Sequence, residues 1–505
     1  MAAMRQSRFQ SRSGWATRWI PVVLVLALLG SAFAASEYDL GDRWFGGSTT
    51  PPSPDPETAP GTDPETGAPA VPPSAGVSLP LPAQPAPVVP GVAADDSGQM
   101  APRKVARVLG PLLADPDLGR HVVAAVADLS TGEVVFQQGG RARPASTTKL
   151  LTAIAALHVL GPDHRFATQA VLQGQGQQRR VVLVGGGDPY LASKPATKDE
   201  RTYPARADLR TLARLTAAAL ADQGIRRAAL GYDDTLFTGP DVNPLWEPSY
   251  VPDGVVSRIT ALWADEGRPA SGSGRVPDPA RTAATYFAQE LRAAGVQVTG
   301  QPVRRSAADA ATPLAEVEGS PVSQIVERTL TVSDNEAAEV LAHQVGLATV
   351  GEGSFEAGVR GVRQALTELD VPVGGAEWYD GSGLSRENVL PPDTLLSVLR
   401  VAASADRPTL RPVLTGLPVA GFTGSLEYRF ADTTPAARGH VRAKTGTLRG
   451  TSSLAGIATD LDGTSVAFVL MADRVRFLET FAAEGALDAA AAALGGCHCS
   501  VGGGR

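Results

Sequence analysis

Hydrophobic and polar positions follow a few clear patterns along this chain. Residues 122–127 are almost wholly apolar, Leu129-Ser130-Thr131-Gly132-Glu133 interrupts the run, and residues 134–136 resume it, which predicts a β-hairpin. The same pattern recurs near the other end, where residues 453–458 and 464–471 flank a Leu461-Asp462-Gly463 turn. Residues 146–160 carry good helix formers at helical spacing and stop at Gly161-Pro162. A last helix is predicted over about 478–494. Between these ends the patterns predict strands at 181–184 and 228–232 and helices at 209–223 and 280–294. They also predict an interrupted helix over 323–345. Strands at both ends with helices between predict one sheet assembled from the two ends. The stretch 265–278, rich in Gly, Pro and Ser, reads as a mobile loop.

The first hundred residues show neither period. Arg5, Arg8, Arg12 and Arg18 precede an apolar run at 19–35 that contains the small-x-small site Ala32-Phe33-Ala34. This is the pattern of an export signal, either cleaved or kept as a single membrane anchor, and both place the rest of the chain outside the cytoplasm. Residues 46–103 are rich in Pro, Thr, Ala and Gly, with runs such as Thr50-Pro51-Pro52-Ser53-Pro54 that favour extended polyproline conformation. The expected organisation is a signal or anchor at 1–36 and a disordered linker at 37–103. A flexible tail at 496–505 would carry Cys497 and Cys499, which are too few for a zinc site. The bulk numbers agree with a large globular part: 505 residues, 43% hydrophobic, net charge −7. That charge, with no basic stripe, argues against nucleic acid as a partner.

Only five of the 45 cationic side chains are lysines: Lys104, Lys149, Lys194, Lys198 and Lys444. Where Arg would serve, this chain uses Arg, so each Lys calls for a reason. Lys149 ends Ser146-Thr147-Thr148-Lys149. On a helix the first and fourth positions share a face, and an amine there can take the serine proton if burial lowers its pKa. Arg cannot do this. The segment Ser333-Asp334-Asn335 offers a second hydroxyl to relay a proton, and a carboxamide, in a chain with only three Asn, to hold a peptide. Lys444-Thr445-Gly446-Thr447 offers a fixed positive charge and two hydroxyls on one strand face, with Gly446 letting a ligand approach the backbone. Each motif alone is more often a cap or a solvated turn. The three in order form a constellation known from serine penicillin-recognising enzymes. Glu339 and His343 are spaced i, i+4 without a second His, so they read as one helix face rather than a metal site.

Over about 104–490 the sequence resembles the low-molecular-mass class C penicillin-binding proteins, the D-Ala-D-Ala carboxypeptidase/endopeptidase family S13. Gly185-Gly186-Gly187-Asp188-Pro189, Asp380-Gly381-Ser382-Gly383-Leu384-Ser385 and Phe422-Thr423-Gly424-Ser425-Leu426 extend the likeness. The resemblance implies an α/β fold: a serine β-lactamase/transpeptidase-like domain, an antiparallel sheet flanked by helices, with an inserted smaller α/β domain. The expected boundaries are 104–168 and 276–495 for the catalytic domain and 169–275 for the insert. The resemblance also implies that Ser146 is the acylated nucleophile and Lys149 its base, and that Ser333 relays the proton. Asn335 would hold the peptide. Lys444, Thr445 and Thr447 would hold a terminal carboxylate, and the backbone N–H groups of Ser146 and Thr447 would form the oxyanion hole. Insert residues near Tyr250 would shape the pocket for a diamino-acid side chain. No cofactor or metal is implied. The partners would be peptidoglycan stem peptides, β-lactams as inhibitors, and the cytoplasmic membrane if the anchor is retained. A β-lactamase and a silent wall-binding protein are the rival readings; against the first, no Glu-x-x-Leu-Asn follows Ser333.

Overall fold

The apolar runs at the two ends of the chain pair with each other. The computed structural model describes residues 98–197, 202–430 and 437–501. Ten strands lie in this range: β1 (Val122–Asp128), β2 (Val134–Gln138), β3 (Ala167–Gln173), β4 (Arg180–Val184), β5 (Arg227–Asp233), β6 (Gln297–Arg304), β7 (Thr312–Glu318), β8 (Val441–Leu448), β9 (Thr451–Thr459) and β10 (Ser465–Ala472). Nine helices of at least ten residues accompany them: α1 (Pro102–Leu113), α2 (Lys149–Leu160), α3 (Leu209–Asp222), α4 (Pro279–Ala293), α5 (Val322–Thr331), α6 (Asn335–Val350), α7 (Phe355–Glu368), α8 (Pro392–Ala403) and α9 (Thr480–Gly495).

The first sheet has the order β2-β1-β10-β9-β8, antiparallel throughout. Its middle strands are buried on both faces, which explains their unbroken apolar runs. Val123, Ala125 and Ala127 of β1 join Ala467, Val469 and Met471 of β10 in one core, with α2, α5, α6 and α8 above them. The alternate residues, Ala124 and Val126 with Val466, Phe468 and Leu470, form a second core with α1 and α9. α2 is buried around nearly its whole girth, so its apolar stripe is not confined to one side.

The second sheet has the order β6-β5-β4-β3-β7. Its β4-β5 and β5-β6 pairs are parallel, each crossed by a helix, α3 or α4, and these helices close a third core. The expected insert, 169–275, is therefore too short. α4, β6 and β7 were expected in the catalytic domain but complete the insert's sheet, which runs from β3 to β7. β6 and β7 escape a hydrophobic reading because they are edge strands, largely exposed, with Pro302 and Pro313 inside them.

The two termini of the folded part hold each other. Met100 is buried and bridges to Ser500, and Ala101 N donates to Cys499 O at 2.8 Å. Cys497 and Cys499 form a disulfide, and Cys499 N donates to buried Asp460. Residues 98–103, expected in the linker, and 496–501, expected in a loose tail, thus belong to the fold. The apolar run at 19–35 and most of the Pro-rich stretch lie outside the described residues. Among the described residues no helix is long and apolar enough to cross a membrane.

Candidate active site

The segment after β2 makes the turn that carries Ser146. Ala145 takes a φ of +47°, and Ala145–Thr148 wind as a 3-10 turn that runs straight into α2 at Lys149. Thr147 Oγ1 donates to Pro144 O (2.7 Å) and Thr148 Oγ1 to Ala145 O (2.9 Å), which fixes the turn. Ser146 therefore sits just ahead of the α-helix, not in its first turn. The winding still stacks the two side chains, with Lys149 Nζ 2.9 Å from Ser146 Oγ.

Lys149 is fully buried, and its Nζ also donates to Asn335 Oδ1 and to Ser382 O, both at 2.7 Å. Three acceptors match the three N–H groups of an ammonium. Burial pulls its pKa down to about 8, while the carboxylates of Glu339, Asp380, Asp334 and Glu336 pull the other way. The amine is thus within reach of the neutral form that a base needs. When neutral, its lone pair can accept the Ser146 hydroxyl proton across the 2.9 Å contact.

Ser333 and Asn335 stand where α5 gives way to α6. Ser333 adopts a φ of +60°, unusual for a residue with a side chain, and Asp334 caps α6 by accepting from Ala337 N at 2.9 Å. Asn335 Nδ2 donates to Val255 O of the insert at 2.9 Å. With its oxygen on Lys149, this leaves Asn335 one N–H for a ligand.

β8 is the edge strand of the first sheet. Lys444 is fully buried and its Nζ donates to Ser333 Oγ and to its neighbour Thr445 O, both at 2.7 Å. Burial, then the positive charges of Lys149 and Arg429, holds its pKa well below the usual lysine value. Because Ser333 Oγ accepts from this amine, its own proton is free to point elsewhere. Thr445 Oγ1 lies 2.8 Å from Ser425 Oγ, and the exposed Thr447 donates to Glu484. Gly446 is tightly packed. A Cβ there would lie 2.2 Å from Ser453 Oγ, 2.6 Å from Pro144 O and 3.0 Å from Ser146 N. The position suits glycine because β8 presses against the Ser146 turn, and this contact brings the backbone of β8 beside the Ser146 amide.

Ser146, Ser333, Asn335 and Thr447 line one cleft of about 680 Å³, with Tyr250 and Asp253 of the insert on its wall and Phe477 and Phe481 at its rim. Lys149, Lys444 and Thr445 stand behind these groups.

A family model for the D-Ala-D-Ala carboxypeptidase 3 (S13) family matches residues 105–272 and 267–494. The chain belongs to this S13 family. It is 34% identical over 488 residues to a carboxypeptidase DacB of Mycolicibacterium smegmatis, covering 95% of this chain and 97% of that protein. It is 31% identical over 440 residues to a D-alanyl-D-alanine carboxypeptidase of an Actinomadura species, covering 70% of this chain and 78% of the relative. The fold is similar to that of penicillin-binding protein 4 (dacB) from Haemophilus influenzae, with a TM-score of 0.61 at 22% identity over 74% of this chain and 93% of that one.

Several groups outside the three motifs support this S13 site. Glu339, one turn along α6 from Asn335, is fully buried and accepts from Gly381 N (3.0 Å) and Ser382 N (2.8 Å). It thereby fixes the loop whose Ser382 carbonyl holds Lys149. Burial, then the Asp380 carboxylate, pushes the Glu339 pKa up. Asp380 accepts from Trp246 Nε1, Gly383 N, Ser385 N and Asn388 Nδ2, all within 3.0 Å. His343 Nδ1 donates to Glu339 O at 2.8 Å, and burial lowers its pKa to about 4, so it is neutral. The loop at 265–278, expected to be mobile, is tied at both ends. Glu266 pairs with Arg206 and Arg268, and Arg275 makes a buried pair with Glu336 at 2.6 Å beside the second motif. These partners are distant in sequence and polar in composition, so nothing local marks them.

Proposed function

We propose that this protein is a serine-type D-Ala-D-Ala carboxypeptidase acting on peptidoglycan stem peptides, and that it binds β-lactams at the same serine. The observation that carries the reading is the pair of Lys–Ser contacts converging on one cleft: Lys149 on Ser146 at 2.9 Å and Lys444 on Ser333 at 2.7 Å. In this mechanism neutral Lys149 takes the Ser146 proton as Oγ attacks the carbonyl of the penultimate D-Ala. The Ser146 and Thr447 N–H groups stabilise the oxyanion, a contribution of ~3 kcal/mol per donor in comparable sites. Ser333, held by Lys444, hands its hydroxyl proton to the departing D-Ala amine and takes in exchange the proton that Lys149 removed from Ser146, which returns Lys149 to the neutral amine. The terminal carboxylate meets the Thr445 and Thr447 hydroxyls in the field of buried Lys444, and Thr447 exchanges its Glu484 partner for the substrate. Asn335 offers its remaining N–H to the peptide, and the insert wall near Tyr250 bounds the stem-peptide side chain. Water then hydrolyses the acyl-enzyme, with Lys149 able to act again as base.

The relatives' names and the solved penicillin-binding protein 4 complexed with a β-lactam support the substrate class and inhibitor. The disulfide between Cys497 and Cys499 and the basic-then-apolar N-terminus support an extracytoplasmic site of action at the wall. The test is product analysis with a D-Ala-D-Ala-ending pentapeptide and a cross-linked muropeptide. Wild type is expected to release free D-Ala from the first, and Ser146→Ala to release none. Absence of D-Ala release by the wild-type protein refutes the proposal, and cleavage of the cross-link would add endopeptidase activity.

A further inference from the structure

A cationic recess lies away from the active-site cleft. It is a cleft of about 780 Å³ that shares no lining residue with the active-site cleft. Besides Gln99, its walls come from three places. One is the turn between β1 and β2, another is the corner at Leu369 and Asp370 after α7, and the third is the end of α8 with the loop that follows. Three arginines, Arg400, Arg407 and Arg411, line it. Among the described residues none of the three guanidinium groups is in an ion pair, whereas arginines such as Arg206, Arg275 and Arg429 are each paired with a carboxylate. Asp370 is the one carboxylate on the lining. Asp128, under the same turn, is buried and turned inward, accepting from Met100 N and from the Ser130 backbone and hydroxyl.

Arg400 is positioned by the turn. Its guanidinium lies against the backbone at Gly132, where φ is +74° and a Cβ would fall 2.4 Å from one of its terminal nitrogens. The hydroxyl oxygens of Ser404 and Thr131 accept from Asp406 N (3.4 Å) and Glu133 N (3.2 Å), which leaves their protons free to donate into the cleft. Unpaired guanidinium forks with hydroxyl donors between them match phosphate oxygens.

We propose that this cleft binds a phosphodiester-linked polyanion and so holds the enzyme against an anionic polymer of the wall in which its proposed substrate lies. The concave shape favours a threaded chain over a lipid surface, which needs a flat or protruding basic face. With a net charge of −7 the protein as a whole repels polyanions, so binding has to come from a local site.

The test is fluorescence anisotropy with a labelled poly(glycerol phosphate) oligomer on the full chain. Parallel arms use inorganic phosphate as competitor and phosphatidylglycerol vesicles. Wild type is expected to bind the oligomer, less tightly as salt rises, with inorganic phosphate displacing it only at far higher concentration. The Arg400→Gln/Arg407→Gln/Arg411→Gln variant should bind at least about tenfold more weakly. Arg103→Gln/Arg107→Gln, on α1 outside this cleft, should bind as wild type does. Penicillin acylation at the wild-type rate in the triple variant separates this site from the catalytic one and shows that the fold is intact. Equal binding by the triple variant, no binding by wild type, or binding to vesicles but not to the oligomer overturns the proposal.

Discussion

Replacing Glu339 with Gln tests whether the buried carboxylate behind the site serves Lys149. The side chain is fully buried and accepts two backbone bonds, from Gly381 N at 3.0 Å and Ser382 N at 2.8 Å. A carboxamide keeps the shape but turns one acceptor into a donor, so one buried N–H faces another. A lost hydrogen bond to a charged group is worth ~1.5–3 kcal/mol. If the 381–382 loop shifts to relieve the clash, the Ser382 carbonyl leaves Lys149 and the amine loses one of its three acceptors. Were that whole penalty felt in the transition state, acylation would slow by roughly 10- to 100-fold. A second effect has its own signature. Glu339 is the largest of the charges that raise the Lys149 pKa, which stands at about 8. Removing that charge lets burial lower it further, so the acylation rate should reach its plateau at a lower pH in the variant. The assay is stopped-flow acylation by a fluorescent penicillin between about pH 6 and 10. Slower acylation with an acid-shifted inflection is expected. A slowed variant with the wild-type inflection refutes the electrostatic link, and an unchanged rate refutes the positioning role as well.

Ser333→Ala removes the group that Lys444 holds at 2.7 Å, and release of D-Ala from a pentapeptide should fall by ~10²–10⁴, as for loss of a proton-transfer group; a fall under tenfold excludes the relay. Arg275→Ala strands the Glu336 carboxylate in a buried pair whose side chains are 3% and 4% exposed, and chemical denaturation should show ~3–5 kcal/mol lost, with Arg275→Met/Glu336→Leu losing much less. Reducing the Cys497–Cys499 disulfide opens a very short loop, so stability should drop by only ~1–2 kcal/mol and penicillin acylation should stay unchanged.

How much of this was legible in the sequence depended on where each signal resides. β1, β9 and β10 could be read because both their faces are buried, so every residue had to be apolar or small. β3, β6 and β7 could not. The burial of β3 is mixed, and β6 and β7 are sheet edges with polar, solvated positions that look like loop, which is why the insert's far boundary was misplaced. The motif residues were legible because their chemistry is local: a Ser and a Lys three apart, in a chain that elsewhere prefers Arg. The supporting shell was not. Glu339 reads as an ordinary polar residue of a helix until folding buries it against Gly381, and Arg275 sits in a Gly- and Pro-rich stretch with no sign of its partner Glu336. The role of Gly446 also needed coordinates, since the atoms it makes room for belong to Pro144, Ser146 and Ser453.

The central claim is that Lys149 acts as a free amine that takes the Ser146 proton. Its most direct measurement is the acylation rate of wild type, Lys149→Arg and Ser146→Ala by a labelled penicillin across the pH range, with the adduct located by peptide mass spectrometry. The expected result is a wild-type adduct on Ser146 whose formation quickens as pH rises through about 8, and no adduct in either variant. A Lys149→Arg protein that acylates at the wild-type rate, or an adduct on another serine, would contradict it.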